Sequence, residues 1–181
     1  IGNTVTRIDG MIARLGALRQ QPGLQVAPVA PAALVEDAAV ELQGSDVALH
    51  CAVPADMPMI RGDRDQLVSV VANLLLNARD AIGARAGARP GDGRIDVRSR
   101  VDGGRVVLEV EDNGCGMSPA FLRDGLFRPF QSTKSKGLGI GMFQARQVIE
   151  QHGGSIHVES QQGIGTTVRI SLPVFAEDHA A

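Results

Sequence analysis

Three short segments, Asn73–Asn77 (NLLLN), Asp112–Met117 (DNGCGM) and Gly137–Gly141 (GLGIG), decide the fold that this sequence encodes. The first lies on a predicted helix, the second follows a predicted strand, and the third opens another predicted helix. Each segment supplies groups that the other two lack: side-chain amide oxygens, an acidic side chain, and backbone N–H groups that no side chain covers. Together they predict a nucleotide site, which no one of them predicts alone.

Two asparagines on the first of these helices are candidate ligands. Asn73 and Asn77 are four residues apart, so both amide oxygens can reach one ligand from a single helical face. Magnesium prefers oxygen ligands and uses few protein groups when phosphate oxygens and water complete its coordination, which favours Asn77 as the metal ligand. The alternative is that both side chains are solvated on the helix surface, as we expect for Asp80 in the same stripe.

The second segment places an acid at the end of a predicted strand. A buried Asp112 carboxylate would accept a hydrogen bond from the exocyclic amine of adenine and would reject guanine, which presents a carbonyl oxygen there. Gly114 and Gly116, followed by Met117, let the backbone turn tightly against a flat ligand. Turns and calcium loops use the same residues, which is the structural alternative. Cys115 is expected to be a small spacer, because no histidine accompanies it.

The third segment has the character of a phosphate site. Its glycines Gly137, Gly139 and Gly141, with Leu138 and Ile140 between them, precede a predicted helix that runs to about residue 152. A glycine-rich entry to a helix N-terminus combines free N–H donors with a partial positive charge. The sequence is neither a Walker P-loop nor a dinucleotide fingerprint. A flexible linker is the alternative.

Between the two glycine segments, the stretch Ser118–Lys136 is predicted to be a mobile lid. Phe127 and Phe130 are expected to anchor its base. Lys134 or Lys136 would approach the γ-phosphate as point charges. The alternative is a solvated loop that carries two lysines.

Composition excludes several classes of function. The chain has 181 residues, a mass of 19.0 kDa, a net charge of -2 and no Trp or Tyr, so nucleic acid and anionic membranes are not expected partners. Cys51 and Cys115 suggest neither a disulfide framework nor a zinc site, and the four histidines show no metal-binding spacing, so we expect them to be structural or solvent-facing. The chain contains no apolar run of about 18 residues and no leader pattern, which fits a cytoplasmic domain.

Hydrophobic periodicity predicts the remaining elements. Ile1–Gln20 is expected to be an amphipathic helix that needs a partner, with a linker near residue 22. The helix that carries the asparagines is expected to be capped by Asp63. The other predicted elements are a helix over Pro31–Leu42, a strand over Val47–Val53, a hairpin of Ile95–Val101 with Arg105–Glu111, and a strand pair of Ser155–Glu159 with Thr166–Leu172.

In this order and spacing, the segments resemble the catalytic ATP-binding domain of bacterial sensor histidine kinases, within the superfamily shared with gyrase B, heat-shock chaperone and mismatch-repair ATPases. The resemblance covers roughly residues 30–173. Asn73–Ala78 looks like the N box of that family, Asp112–Met117 its first glycine box, Phe127–Phe130 its F box, and Gly137–Gly141 its second glycine box. The lid sequence also resembles kinases associated with exopolysaccharide and exosortase systems.

The resemblance implies a two-layer α/β sandwich, the Bergerat ATP-binding fold, in which a mixed, largely antiparallel sheet of about five strands packs against three helices. It implies ATP and Mg²⁺ as cofactors, with Asp112 on adenine, Asn77 on the metal, and Thr166 near adenine. It also implies three parts, namely the second helix of a dimerisation domain with its linker (1–22), the catalytic domain (23–176) and a tail (177–181). The implied ATP-binding residues are Asn73, Asn77, Asp112, Gly114, Gly116, Met117, Phe130, Lys134, Gly137, Leu138, Gly139, Ile140, Gly141 and Thr166.

Two departures from the family pattern shape the functional prediction. Asp80 stands where members often have a lysine, so no phosphate contact is expected there. No early helix carries a histidine followed by an acid, so the chain is interpreted as a fragment of a longer kinase that binds ATP without phosphorylating itself. Its expected partners are the phosphoacceptor domain, a response regulator receiver domain and a second copy in a full-length homodimer, anchored in the inner membrane. The alternatives are a serine kinase or chaperone-like ATPase, and a signalling module without catalysis.

Overall fold

The computed structural model describes residues 24–87, 89–132 and 137–176. The predicted helix over Ile1–Gln20 and the tail after residue 176 lie outside the described residues, so the three-part division of the chain stays a prediction. The described strands are β1 Ala27–Val29, β2 Ala48–Ala52, β3 Ile60–Gly62, β4 Arg94–Asp102, β5 Arg105–Asp112, β6 Ser155–Gln161 and β7 Gly165–Pro173. The described helices are α1 Pro31–Ala39, continued by a 3-10 turn at Val40–Leu42, α2 Arg64–Gly83, α3 Pro119–Asp124 and α4 Gly141–Gln151.

Five strands form a mixed sheet in the order β2-β4-β5-β7-β6. The β2 and β4 strands are parallel, and the other neighbouring pairs are antiparallel. Alternation of polar and apolar residues sends one face of each strand toward the helices, as the sequence predicted for both hairpins. The predicted two-layer α/β sandwich with a largely antiparallel five-stranded sheet is therefore confirmed.

Helices α1, α2 and α4 form the second layer, with α2 in contact with both of the others. One face of α2 forms an apolar arc that is buried against the sheet, and its residues are Leu67, Val71, Leu74, Leu75, Ala78 and Ile82. Asp63 caps the helix as predicted, because its Oδ1 accepts a hydrogen bond from the Gln66 backbone N–H at 3.2 Å. The apolar arc fixes the rotation of α2 and thereby turns its asparagine stripe away from the core.

His152 joins the start of α2 to the end of α4. Its Nε2 accepts a hydrogen bond from the Asp63 backbone N–H at 2.9 Å, and its Nδ1 lies 2.7 Å from the Val148 carbonyl oxygen. An Nδ1-protonated ring satisfies both contacts, because Nδ1–H donates while Nε2 accepts. The side chain is buried, at 6% exposure. The expectation of a structural role is thus confirmed for this histidine.

Two features of the fold were not predicted. Strands β1 and β3, neither of which the hydrophobic periodicity indicated, pair antiparallel as a separate two-stranded sheet. Helix α3 is six residues long and is capped by Ser118, whose hydroxyl accepts a hydrogen bond from the Phe121 backbone N–H. Among the described residues, Cys51 and Cys115 are free, and no helix has the length and apolar character to cross a bilayer.

Candidate functional site

Both glycine segments meet helix α2, one at each end of its asparagine stripe. A Cβ atom on Gly114 would lie 2.6 Å from the Ala81 carbonyl carbon, and the Cys115 backbone N–H donates to the Ala81 carbonyl oxygen at 2.9 Å. A Cβ atom on Gly141 would lie 3.1 Å from Asn73 Cγ. Residues 73 and 81 are about 12 Å apart along the helix. The two glycine segments therefore flank the part of α2 that carries the asparagine stripe.

Asp112 forms the floor of the site at the end next to Ala81. It is the last residue of β5, paired with Ile95 on β4 and Thr166 on β7, and it is 9% exposed. The Gly114 backbone N–H donates a hydrogen bond to Asp112 Oδ1 at 2.8 Å, which fixes the orientation of the carboxylate. Thr166, at 8% exposure, stands beside it. The structure thus places Asp112 and Thr166, the two residues predicted to lie near adenine, side by side on neighbouring strands.

The first glycine segment lies tightly against the β6–β7 hairpin. Gly116 has a φ of 62°, and a Cβ atom there would lie 2.7 Å from the Gln161 carbonyl carbon. The Gly163 backbone N–H donates to the Cys115 carbonyl oxygen at 2.7 Å. Gly114 and Gly116 are both required because a Cβ atom at either position would collide with neighbouring backbone. Gly116 is required for a second reason, because its backbone is left-handed. The hairpin is therefore the second support of the segment, alongside α2.

Ser160 and Asn113 are site residues that the sequence analysis missed. The Ser160 hydroxyl accepts a hydrogen bond from the Met117 backbone N–H at 2.9 Å, which ties the end of the glycine segment to β6. The Asn113 side chain accepts from the Arg94 backbone N–H at 2.8 Å and donates to the Asp92 carbonyl oxygen at 2.8 Å. Asn113 thereby holds the loop before β4 against the end of β5. Serine and asparagine are common polar residues, and only the strand register gives these two their roles.

At the other end of the site, Asn73 faces the start of α4. Its Nδ2 atom is buried and has no hydrogen-bond partner within the described part of the chain. A buried unsatisfied amide costs about 1–3 kcal/mol, so a ligand atom that accepts from it would be favoured. Gly137 is exposed, whereas Leu138, Gly139 and Ile140 are half-buried as the chain enters α4. Asn77 lies one helical turn from Asn73 on the same stripe.

Asp80 continues this stripe, and its side chain forms an ion pair with the adjacent Arg79. The Arg79 guanidinium lies 2.9 Å from Asp80 Oδ1, with both side chains 38% exposed. Within the described ranges, no cluster of three or more His, Cys, Asp or Glu side chains is arranged to hold a metal ion. Asn77 as a metal ligand stays a prediction.

The segment between the glycine motifs is built differently from what the phenylalanines indicated. Phe130 is 62% exposed and has a φ of 65°, so it does not anchor the base of this segment. The Leu126 side chain is buried in this segment, and Phe127 is half-buried with the Arg146 guanidinium 5.3 Å from its ring centroid. Burial in this segment therefore does not follow side-chain size, since Leu126 is buried while the larger Phe130 is exposed.

A backbone hydrogen bond joins the two ends of the stretch between residues 130 and 139. The Phe130 N–H donates to the Gly139 carbonyl oxygen at 3.0 Å, and a Cβ atom on Gly139 would lie 2.6 Å from the Gln131 backbone nitrogen. The left-handed backbone of Gly139, with a φ of 67°, is consistent with this close approach. Lys134, the predicted phosphate contact, and Lys136 lie outside the described residues. The assignments of Phe130 and Lys134 to a nucleotide stay predictions.

The chain is similar to a broad family of ATPases. The model of the family described as histidine kinase-, DNA gyrase B-, and HSP90-like ATPase matches residues 62–176, which include both glycine segments, both asparagines and Thr166. Among curated proteins, the two-component sensor PprA of Pseudomonas aeruginosa is 33% identical over 183 residues, covering 97% of this chain. The chain spans only 20% of the length of PprA.

Solved structures give the same result at the level of the fold. The mycobacterial sensor histidine kinase MprB superposes with a TM-score of 0.70 at 28% identity, covering 84% of this chain and 99% of that chain. Full-length ShkA, solved in complex with AMPPNP, superposes with a TM-score of 0.70 at 26% identity, covering 91% of this chain and 34% of that chain.

Proposed function

The chain belongs to the family of histidine kinase-, DNA gyrase B- and HSP90-like ATPases, as the HATPase catalytic domain of a sensor histidine kinase, and we propose that it positions Mg-ATP for transfer of the γ-phosphoryl group to a histidine of another domain. The observation that carries this proposal is the meeting of both glycine segments with α2, at opposite ends of one stripe. An acidic floor lies at one end. At the other end lies the buried Asn73 Nδ2 atom, which has no hydrogen-bond partner among the described residues. ATP is a ligand that fits both ends, because its base carries an amine that can donate to the acid and its phosphates carry oxygens that can accept from the amide.

At the floor end, the Asp112 carboxylate accepts a hydrogen bond from the adenine exocyclic amine. Burial to 9% exposure excludes competing water, and the bond from Gly114 to Oδ1 keeps the carboxylate in place before the base arrives. Gly114 and Gly116 allow the glycine segment to pack directly against α2 and the β6–β7 hairpin, which keeps the segment next to the row. Guanine would place a carbonyl oxygen against this acid and lose the hydrogen bond.

At the other end, the phosphates lie between Asn73 and the entry to α4. The first backbone N–H groups of a helix have no partner within the helix and carry a partial positive charge, which favours phosphate oxygens. The N-cap residue of α4, Ile140, has no side chain that could cap them. The Asn73 amide nitrogen donates to one of these oxygens and so gains the partner that it otherwise lacks. Lys134, in the lid, approaches the γ-phosphate as a point charge.

Asn77 holds the metal through its amide oxygen, with phosphate oxygens and water completing the coordination. The ion supplies neutralisation of the charge on the phosphates. The absence of a carboxylate cluster among the described residues fits a metal that arrives with its nucleotide. Asp80 takes no part in this coordination, because it is paired with Arg79.

In the reaction, the bond from the γ-phosphorus to the β,γ-bridging oxygen breaks, and a bond from the same phosphorus to a histidine nitrogen forms. ADP leaves with the bridging oxygen. The domain contributes orientation and charge stabilisation in line with the attacking nitrogen, which is the usual division of labour in phosphoryl transfer. The phosphoacceptor histidine belongs to a dimerisation domain. A response regulator receiver domain then takes the phosphoryl group onto an aspartate.

The whole kinase is proposed to be a homodimer with this domain on the cytoplasmic side of the inner membrane. The Ile1–Gln20 stretch is proposed to be the second helix of the dimerisation domain, which attaches this domain to the rest of the kinase.

Nucleic acid is not a proposed partner. The net charge is -2, and the arginines on the outer face of the sheet are paired with acids, as Arg98 is with Glu111 and Arg169 with Glu109.

Calorimetric titration of this chain with a non-hydrolysable ATP analogue tests the proposal. We expect binding that is stronger with magnesium than without it and absent for the matching GTP analogue. A folded sample that binds neither nucleotide would contradict the kinase proposal and favour a signalling module without catalysis. Binding that is equal for both bases would contradict the adenine role of Asp112.

A further inference from the structure

A polar row ends the apolar inner face of the sheet. Asp112 on β5 is directly opposite Thr166 on β7, and Thr166 is directly opposite Ser160 on β6. The preceding row on the same face is apolar, with Val110 opposite Val168. Three polar side chains on three neighbouring strands therefore stand side by side at the edge of the core, where the adenine is proposed to lie.

The Ser160 hydroxyl makes three short contacts. It lies 2.9 Å from the Met117 backbone nitrogen, 3.0 Å from the Gly165 carbonyl oxygen, and 2.9 Å from Thr166 Oγ1. A hydroxyl has one proton to donate and two positions that accept. The Met117 N–H can only donate, and the Gly165 carbonyl can only accept. Ser160 therefore gives its proton to Gly165 and accepts from Met117, which leaves its second acceptor position for the Thr166 hydroxyl.

This assignment fixes the proton of Thr166. If Ser160 donated its proton to Thr166 instead, no proton would lie between Ser160 Oγ and the Gly165 carbonyl oxygen, and this contact would bring two acceptors together. With the Thr166 proton directed at Ser160, Thr166 Oγ1 presents only lone pairs to a ligand. Its burial to 8% exposure limits the water that could supply another partner and turn the hydroxyl around.

We propose that Ser160 is a specificity-determining positioning residue, which holds the Thr166 hydroxyl as an acceptor so that the floor formed with Asp112 accepts hydrogen bonds and donates none. The inference rests on the proposed function, because it concerns the base of the same nucleotide. An adenine amine finds acceptors on this floor. A base with a carbonyl oxygen at the same position finds no donor, and its desolvated oxygen weakens binding.

The test compares ATP with inosine triphosphate, whose base carries a carbonyl oxygen in place of the adenine amine. Affinities of both, with magnesium, are measured by competition against a fluorescent ATP analogue. In Ser160→Ala, the Thr166 hydroxyl loses its acceptor and can turn to donate to the inosine carbonyl. We expect the preference for ATP to fall about tenfold, the equivalent of one hydrogen bond. Ser160→Thr keeps the hydroxyl and should restore the preference.

Ser99→Ala is the matched control, because Ser99 is a β4 serine whose Oγ is buried and has no partner in the described part of the chain. It should leave the preference unchanged, and thermal melting should show all three variants folded.

Equal losses for both nucleotides in Ser160→Ala would reduce Ser160 to a tether of the glycine segment and overturn the inference, as would an unchanged preference. An unmodified chain that bound ATP and inosine triphosphate equally would overturn it while leaving nucleotide binding intact. An unmodified chain that bound neither nucleotide would overturn the proposed function as well.

Discussion

Replacing Gly141 by alanine is expected to lower the affinity for ATP while leaving the stability of the fold almost unchanged. The new Cβ atom would lie 3.1 Å from Cγ and 3.2 Å from Nδ2 of Asn73, with the amide oxygen in direct conflict. Gly141 is the first residue of α4 and does not have a left-handed backbone, so alanine fits its conformation. The clash therefore falls on the end of one side chain, which can turn away.

The two sides of this change can be estimated separately. Alanine in place of a helical glycine stabilises a fold by about 0.5 kcal/mol, and forcing Asn73 away from its preferred rotamer costs about 0.5–1.5 kcal/mol. The net change in the free energy of unfolding is therefore within about 1 kcal/mol. A hydrogen bond from Asn73 to a charged phosphate is worth about 1.5–3 kcal/mol. Since about 1.4 kcal/mol corresponds to a tenfold change, the ATP affinity should fall about 10- to 100-fold.

Urea denaturation and calorimetric titration with Mg-ATP measure these two quantities. Gly83→Ala is the matched control: Gly83 is a helical glycine at the end of α2, and a Cβ atom there would meet no atom within 4 Å. It should keep full affinity and gain a little stability. Full ATP affinity in Gly141→Ala would refute the placement of the phosphates between Asn73 and α4. A loss of several kcal/mol in stability would refute the argument that only one side chain has to move.

Three further changes test other parts of the site and its support. Asp112→Asn should abolish ATP binding in a titration while the protein stays folded, because an amide oxygen can still accept from the Gly114 N–H; unchanged affinity would remove adenine recognition from this residue. Asn77→Ala should weaken Mg-ATP more than metal-free ATP in parallel titrations, and equal losses would reject the metal role. His152→Ala should lower the free energy of unfolding by about 3 kcal/mol, because it leaves a cavity and an unpaired N–H at the start of α2, and a loss below about 1 kcal/mol in urea denaturation would contradict that role.

The long periodic elements could be predicted because their information is local. The apolar arc of α2 repeats over several turns, and Asp63 lies at its start with a side chain that can accept from the Gln66 N–H, three residues further on. The β4–β5 hairpin alternates around a turn that carries Gly103 and Gly104, both with positive φ. In each case, the residues that define the element lie next to one another in the sequence.

The missed elements are short, or depend on partners far along the chain. Strands β1 and β3 have three residues each, too few to show a period, and each is stabilised by pairing with the other. His152 looks like one of four isolated histidines until the fold brings the Asp63 N–H, 89 residues away, to its ring. Nothing in the sequence indicates that Phe130 has a left-handed backbone, because this conformation is rare for a bulky residue.

The register of three strands ties the core to the floor of the site. Because successive side chains of a strand point to opposite faces, the register that buries Val110 and Val168 also sets Asp112 beside Thr166 on the same face. A slip of one residue would expose the apolar rows and turn the acid away from the site at once. The hydrophobic energy of the core therefore holds the polar row in place, and the Gly114 backbone N–H, which donates to Asp112 Oδ1, orients the carboxylate within that row.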